Sequence, residues 1–416
     1  MTLYFDHNAT TPIAPEVLEA MLPFLREHYG NASSIHRFGQ RARAAVERSR
    51  SQVASLIHCE PAEIVFTGGG TEADNLAIQG AVRACPERSR GAGSLPRRHV
   101  ITSAIEHHAV LHTCRALEKE DVSVTYLPVN HHGFVDPEQV RAALRPETVL
   151  ITVMHANNEI GTIQPLAEIA AIAREAGVLF HTDAVQSAGK IPLDVGRLGV
   201  DLLSLSAHKF YGPKGVGALF IRKDVTLLPV LHGGSREDDP RPGTENVAGI
   251  AGLGRAAQLA SDNLVADGLR LIALRDCLET GILERISHCG VNGPAAATPA
   301  GDSQRVPNTT NLYFDDVEGE ALVIALDLQG MACSTGSACA SGAVEPSHVL
   351  TALGLPRRRA RSCLRFSLGR QNTAQQVDTL LDALPKVVER LRSLAPQAGV
   401  GAAAHHSETI KEDHRI

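Results

Sequence analysis

The feature that most constrains this chain is an alternation running from about residue 60 to about residue 225. Short, β-branched runs recur there: "EIVFT" (63–67), "HVITS" (99–103), "TVLITVM" (148–154), "GVLFHT" (177–182) and "DLLSLS" (201–206). Amphipathic helical stretches separate several of them, such as "PLAEIAAIAREAG", which ends at Gly177. Buried strands alternating with helices imply an α/β fold with a mostly parallel, doubly wound sheet covered on both faces.

The second half reads differently. "NLYFDDV" (311–317) and "SCLRFSLG" (362–369) are strands of a smaller α+β unit. It closes with a helix carrying Leu380, Leu381, Leu384, Val387, Val388, Leu391 and Leu394 at helical spacing. With 416 residues the chain exceeds what one core usually supports, so two packed units are expected. The larger is placed at 15–257 and the smaller at 1–14 with 258–395; 396–416 reads as a disordered tail. "CPERSRGAGSLPRRH" (85–99) reads as a surface loop.

Composition excludes several classes of function. A net charge of -6 gives no reason to expect a nucleic-acid or membrane partner. No apolar run approaches the ~20 residues that span a bilayer, and the N-terminus lacks a secretory pattern. The eight cysteines form no C-x-x-C pair and no zinc spacing, so free thiols and a cytoplasmic location are expected, with no resident metal. Arg357, Arg358, Arg359 and Arg361 read as a solvated basic surface.

Ligands of open α/β sheets bind beyond the carboxyl ends of the strands. Following the proposed strands come "GGGTEADN", "AIEHH", "HANNEIG", "DAVQS" and "SAHKFYGPKG". Together they deliver Thr71, His107, Asn158, Asp183 with Gln186, and Ser206 with His208 and Lys209 to one edge. The turn at Gly69 and Gly70, with Thr71 as helix cap, suits a phosphate, although it lacks the Lys-Ser/Thr of a P-loop. Asp183 ends an apolar strand, where a carboxylate wants a cationic partner such as a protonated ring nitrogen. Lys209, set among small and hydroxylated residues, suits a Schiff base. A phosphate site, a ring-nitrogen carboxylate and a Schiff-base lysine together point to pyridoxal 5'-phosphate.

The stretches "SAHKFYGPKGVGAL", "TDAVQSAGK", "MHANNEIG", "FTGGGTEADNLAI", "RPGTEN" and "STGSACASGAVEPSHVL" resemble the cysteine desulfurases of the NifS/IscS-like group, within the class-V aminotransferases. The resemblance implies the aspartate-aminotransferase fold (fold type I), a homodimer, and conversion of L-cysteine to L-alanine with sulfur kept as a persulfide. It implies that Lys209 carries the cofactor and moves the Cα proton. Asp183 would pair with the ring nitrogen, Gln186 with the ring 3′-oxygen, and His107 would stack on the ring. Gly70, Thr71, Ser206 and His208 would hold the phosphate, with Thr244 of "RPGTEN" reaching in from the other subunit. Asn158 and Arg365 would hold the substrate carboxylate. A sulfur-acceptor protein, such as an iron–sulfur scaffold, would be the partner.

Cys339, in "GSACAS", stands at the position of the family's nucleophile and is at most a transient iron–sulfur ligand. Gly336, Gly342 and the small residues between them keep its thiol accessible. Ser347 then restarts order as a helix cap. Cys333 follows an apolar run and reads as a small buried hydrophobe. Cys59, Cys85, Cys114, Cys277 and Cys289 read as packing or incidental thiols. Selenocysteine lyase activity is the nearest competing chemistry; aminotransfer, which needs no Cys339, and a pseudo-enzyme are more distant. The 85–99 stretch is longer than in the relatives, and the tail does not resemble the segment that IscS-type enzymes dock with.

Overall fold

The computed structural model describes residues 3–85, 98–233, 240–295, 304–335 and 346–394. Strand β1 (Leu3–Tyr4) lies near the N-terminus. A seven-stranded sheet follows, built from β2 (Ile64–Thr67), β3 (Arg98–Ser103), β4 (Val122–Leu127), β5 (Thr148–Thr152), β6 (Leu179–Asp183), β7 (Leu202–Ser206) and β8 (Gly217–Ile221). Its order is β2-β8-β7-β6-β5-β3-β4. All neighbours pair in parallel except β8, which runs antiparallel to both β2 and β7. Two reversals restore direction, so the carboxyl ends of β2, β3, β5, β6 and β7 share one edge. The five expected strands are all present, while β4 and β8 were not foreseen.

Alternation along each strand explains the two covered faces. Ile101, Ile151 and Leu203 join one buried cluster with the helices Arg37–Ile57 and Leu166–Ala176. Their neighbours Val100, Leu150 and Leu202 face the other way, onto Leu76 and Ala77 of the helix Gly70–Ala84. Gly177 ends Leu166–Ala176 with φ 65°, a conformation that glycine adopts without a Cβ penalty.

The second half forms a three-stranded antiparallel sheet of β9 (Cys289–Asn292), β10 (Thr309–Phe314) and β12 (Cys363–Ser367), with β10 in the middle. The short β11 (Met331–Ala332) pairs in parallel with β1. Phe5, Leu312, Phe314, Leu364 and Phe366 share a core with Leu380, Leu381, Leu384, Val387 and Val388 of the helix Ala374–Leu394. Leu391 packs at its margin, but Leu394 is exposed where the helix runs past the sheet. The 39-residue helix Val247–Arg285 contributes to both cores, Leu253 to the first and Leu278 to the second. Arg357 and Arg358 are exposed, as expected of a basic surface, and Arg358, Arg359 and Arg361 form surface pairs with Asp316, Asp315 and Glu318. No helix among the described residues is long and apolar enough to cross a membrane, and the seven described cysteines form no disulfide.

Candidate active site

The turn after β2 is built around glycine for steric reasons. Gly69 has φ 151°, and the space where its Cβ would stand is open to 4 Å. A Cβ on Gly217 of β8 would lie 2.5 Å from the Leu205 carbonyl oxygen and 2.8 Å from Gly69 Cα. The helix starts at Gly70 with Gly69 as its cap, and among the described residues no side chain takes the first-turn N–H groups. Thr71 is therefore not the cap, contrary to expectation: the chain reaches helical geometry two residues earlier. These backbone donors and the positive helix end remain available to an anion beside the open turn. Ser206 is adjacent, its Cβ 3.5 Å from where a Cβ on Gly70 would stand.

The centre of the site is Asn8, a residue to which the sequence assigned no task. Its carbonyl accepts Lys209 Nζ (2.6 Å) and Gln186 Nε2 (3.0 Å). Its side-chain Nδ2 donates to the Asn158 carbonyl (3.1 Å) and to Thr309 Oγ1 (2.8 Å). Arg365 Nη1 donates to the same Asn158 carbonyl (3.0 Å), and Nη2 pairs with Asp6 (2.7 Å). Lys209, Gln186, Asn158 and Arg365 thus converge on one short N-terminal segment. The polar run "FDHNATTP" was the only signal for it, and spacing alone gives such a run no partner.

Electrostatics sort the ionisable groups. Asp183 is buried at the end of β6, and its Oδ1 accepts the Val185 N–H at 2.9 Å. Desolvation pushes its carboxyl up to about 6, while that hydrogen bond and the Lys209 charge favour ionisation. Two deeper carboxyls, Asp74 and Glu106, are also raised by burial, Glu106 to about 8. Asp183 is the one placed to carry negative charge toward the site. Burial lowers Lys209 to about 8, Arg365 adds to this, and Asp183 and Asp6 oppose it. His208 bonds Thr10 Oγ1 through Nδ1 (3.1 Å) and is lowered to about 4 by burial and the neighbouring lysines. His107 caps the helix His108–Glu118, its Nδ1 accepting the Ala109 N–H. Its ring is exposed to solvent on one side, yet crowding by protein and then the Lys209 charge push it down to about 4. It is a neutral base.

Not every expected residue joins this centre. Thr244 is exposed and lines a cleft of about 590 Å³ with Arg50, Arg241 and Gly68, at the outer side of the Gly69 turn. Cys339 lies outside the described residues. Both flanks of its segment are attached to the site: Ser334 pairs through its backbone with Arg365, and Ser347 Oγ donates to Glu159 Oε2 at 2.6 Å. Ser347 also caps the helix His348–Ala352, as expected. Cys333 packs at the edge of the second core, and burial pushes its thiol up to about 12. Cys363 of β12, overlooked in the sequence, is equally inert, buried and raised to about 12.

The residues present fit pyridoxal phosphate. An uncapped helix end beside open space suits its phosphate, and Asp183 lacks only a cation. Arg365 Nε is buried without a hydrogen-bond partner among the described residues, which leaves a donor for an incoming acid.

Comparison with known proteins decides the family. The aminotransferase class-V model matches residues 3–380. The chain belongs to the class-V aminotransferase family. Among class-V relatives, "Cysteine desulfurase IscS" of Dictyoglomus turgidum is 50% identical over 394 residues, covering 95% of this chain and 96% of that one. The solved "NIFS-LIKE PROTEIN" superposes with a TM-score of 0.85 at 36% identity, over 94% of this chain and 100% of that one. A third, "SspA in complex with cysteine", gives a TM-score of 0.75 at 37% identity, over 88% and 99% of the two chains. The seven-stranded sheet, mostly parallel, is thus that of a class-V aminotransferase with the fold type I architecture.

Proposed function

We propose that the protein is a pyridoxal-phosphate-dependent cysteine desulfurase: L-cysteine and an enzyme thiol give L-alanine and an enzyme persulfide. The observation that carries the reading is the convergence of Lys209, Asp183, Gln186 and Arg365 around Asn8, in a chain half identical to a protein named for this activity.

Each residue has work that its environment permits. Arg365 and Asn158 receive the substrate carboxylate, with the guanidinium held in place by Asp6. Asp183 meets the ring nitrogen and Gln186 the ring oxygen. Gly70, Thr71, Ser206 and His208 take the phosphate, with Thr244 reaching the site of a second copy in a homodimer. When bound, pyridoxal phosphate supplies an electron sink for negative charge at the substrate Cα. Lys209, with its lowered basicity, takes the Cα proton and returns it to the product. His107, neutral, accepts and donates protons at the cleft. The Cys339 thiolate attacks the substrate sulfur: an S–S bond forms, the C–S bond breaks, and its electron pair stays with the carbon skeleton, which is protonated to alanine. The persulfide then passes to an acceptor protein for iron–sulfur clusters or other sulfur-containing products.

We place the enzyme in the cytoplasm, in line with the seven described cysteines, none of which forms a disulfide. We divide it into a cofactor-binding unit at 15–257 and a smaller unit formed by 1–14 and 258–395; the core around Phe180 and that around Phe366 support this division, and a small cluster of Ile105, Ile160, Leu350 and Leu353 joins the two units. The test is alanine and sulfide formation from L-cysteine, set against alanine from selenocysteine. The purified protein should be yellow and Lys209→Ala colourless. An equally yellow Lys209→Ala, or no alanine from either substrate, overturns the reading.

A further inference from the structure

Lys190 stands behind this site with no task yet. Its side chain is half-buried, with the amino group turned inward: Nζ donates to Asn8 Oδ1 at 3.0 Å and to Gln186 Oε1 at 2.7 Å. Neither acceptor is a carboxylate, so no ion pair explains an amine kept in this place.

The hydrogen-bond chemistry of the three residues permits one arrangement. Charged or neutral, a lysine amine has the two N–H donors that Asn8 Oδ1 and Gln186 Oε1 accept, and a backbone carbonyl only accepts. Gln186 lies between Lys190 and the Asn8 carbonyl, so its Oε1 must face the lysine and its Nε2 the carbonyl. The second hydrogen of that Nε2 is then the group left for a ligand. Asn8 is held by the same logic. Its Oδ1 accepts from Lys190 and from Asn308 Nδ2 (3.1 Å), while its Nδ2 donates to Asn158 and Thr309. With that side chain locked, the Asn8 carbonyl stays under Lys209 Nζ.

We infer that Lys190 is a positioning residue: by donating to Gln186 and Asn8 together, it turns the Gln186 N–H toward the ring oxygen of bound pyridoxal phosphate and keeps the Asn8 carbonyl beneath Lys209. The inference rests on the cofactor reading above. Charged and titratable groups surround this network on several sides. Burial first, and then the charges of Lys209 and Arg365, lower the Lys190 amine well below the ordinary lysine value. Lys190 in turn disfavours protonation of His7 and His208, and Asp183 and Asp6 offset the positive charge near Lys209.

The test is the pH titration of the visible band of the holoenzyme, with the dissociation constant for pyridoxal phosphate measured alongside. In Lys190→Met the Gln186 Oε1 loses its lysine donor, and the amide is held on one side only, by the Asn8 carbonyl. A less firmly directed donor at the ring oxygen raises proton affinity there, so the midpoint moves up by about half a pH unit or more. Cofactor affinity falls about three- to tenfold, the scale of one hydrogen bond. Lys190→Arg, whose head group only donates, brings the midpoint back toward wild type. Lys190→Gln serves if the Met variant does not fold: its amide both donates and accepts, so it no longer dictates the orientation of Gln186, and the midpoint again moves up. A folded Met or Gln variant with unchanged midpoint and affinity overturns the role of Lys190, as does an Arg variant displaced as far as Met. Wild-type protein that takes up no pyridoxal phosphate overturns the functional reading as well, which separates the two failures.

Discussion

Replacing Arg365 by Gln should change how readily Lys209 loses its proton, and the structure sets the direction. Burial brings the Lys209 amine down to about 8, and the Arg365 guanidinium helps to hold it there. At pH 7 about one amine in ten is then neutral, against about one in three thousand for a lysine at 10.5. That is roughly a 300-fold larger pool of nucleophile at neutral pH. Arg365→Gln removes a positive neighbour and also frees Asp6, now paired with the guanidinium at 2.7 Å. Both changes favour the ammonium form. Asp183→Asn acts the other way, because the Asp183 charge raises the Lys209 pKa. The assay mixes apoprotein with pyridoxal phosphate and follows the visible band between about pH 6 and 10.5. The uptake rate should level off above a midpoint near 8 in the wild type, at higher pH in Arg365→Gln and at lower pH in Asp183→Asn. A wild-type rate still climbing beyond pH 10, or a midpoint that falls in Arg365→Gln, would refute the electrostatic account.

Other outcomes follow from the same structure. Cys339→Ser should stay yellow but release no sulfide from L-cysteine, whereas Cys333→Ser, at a buried thiol raised to about 12, should stay active; the reverse pattern would move the nucleophile to Cys333. Glu279 pairs with the buried Arg305 at 2.9 Å and accepts Thr310 Oγ1 at 2.6 Å, so Glu279→Gln should cost about 3 kcal/mol. A melting temperature unchanged to within about a degree would contradict that. His155 and His181 are buried and neutral, lowered by desolvation to about 4 and about 3. Below pH 6.5 the unfolded chain binds protons that these folded rings refuse, so their contribution is full above 6.5 and is lost as pH falls toward 4. Asp183, raised to about 6, opposes the trend over the same window, as do the buried Asp74 and Glu106, which are also raised. Urea midpoints should drop between pH 6.5 and 4.5, less steeply in His181→Asn; a flat wild-type profile would mean that the rings are protonated in the folded state.

Much of the site was legible because local pattern and local chemistry coincide at strand ends. The apolar runs before Thr67, Ser103, Thr152, Asp183 and Ser206 mark the strands, and the polar residues after them mark the edge. That parallel strands bring such residues together follows from chain direction, which alternation with helices already implies. β8 escaped notice because "GALFI" is short and opens on a glycine. Its antiparallel course is a matter of pairing with β2 and β7, and periodicity does not encode pairing. Thr71 was misplaced as a cap because Gly69 turns the chain through a positive φ that a sequence does not display.

The residue types and their order pointed to the proposed chemistry: a lysine suited to a Schiff base, a carboxylate at a strand end, a glycine turn before a helix. Tertiary structure alone decided how those groups are held and charged. Asn8 meets Lys190 and Lys209 across 182 and 201 residues of chain and Thr309 across 301. No periodic pattern reaches that far. The lowered basicity of Lys209 likewise comes from the dry space around it and from Arg365, not from its neighbours in sequence. Hydrogen-bond partners and desolvation belong to the packed interior, which exists only after the chain has closed on itself.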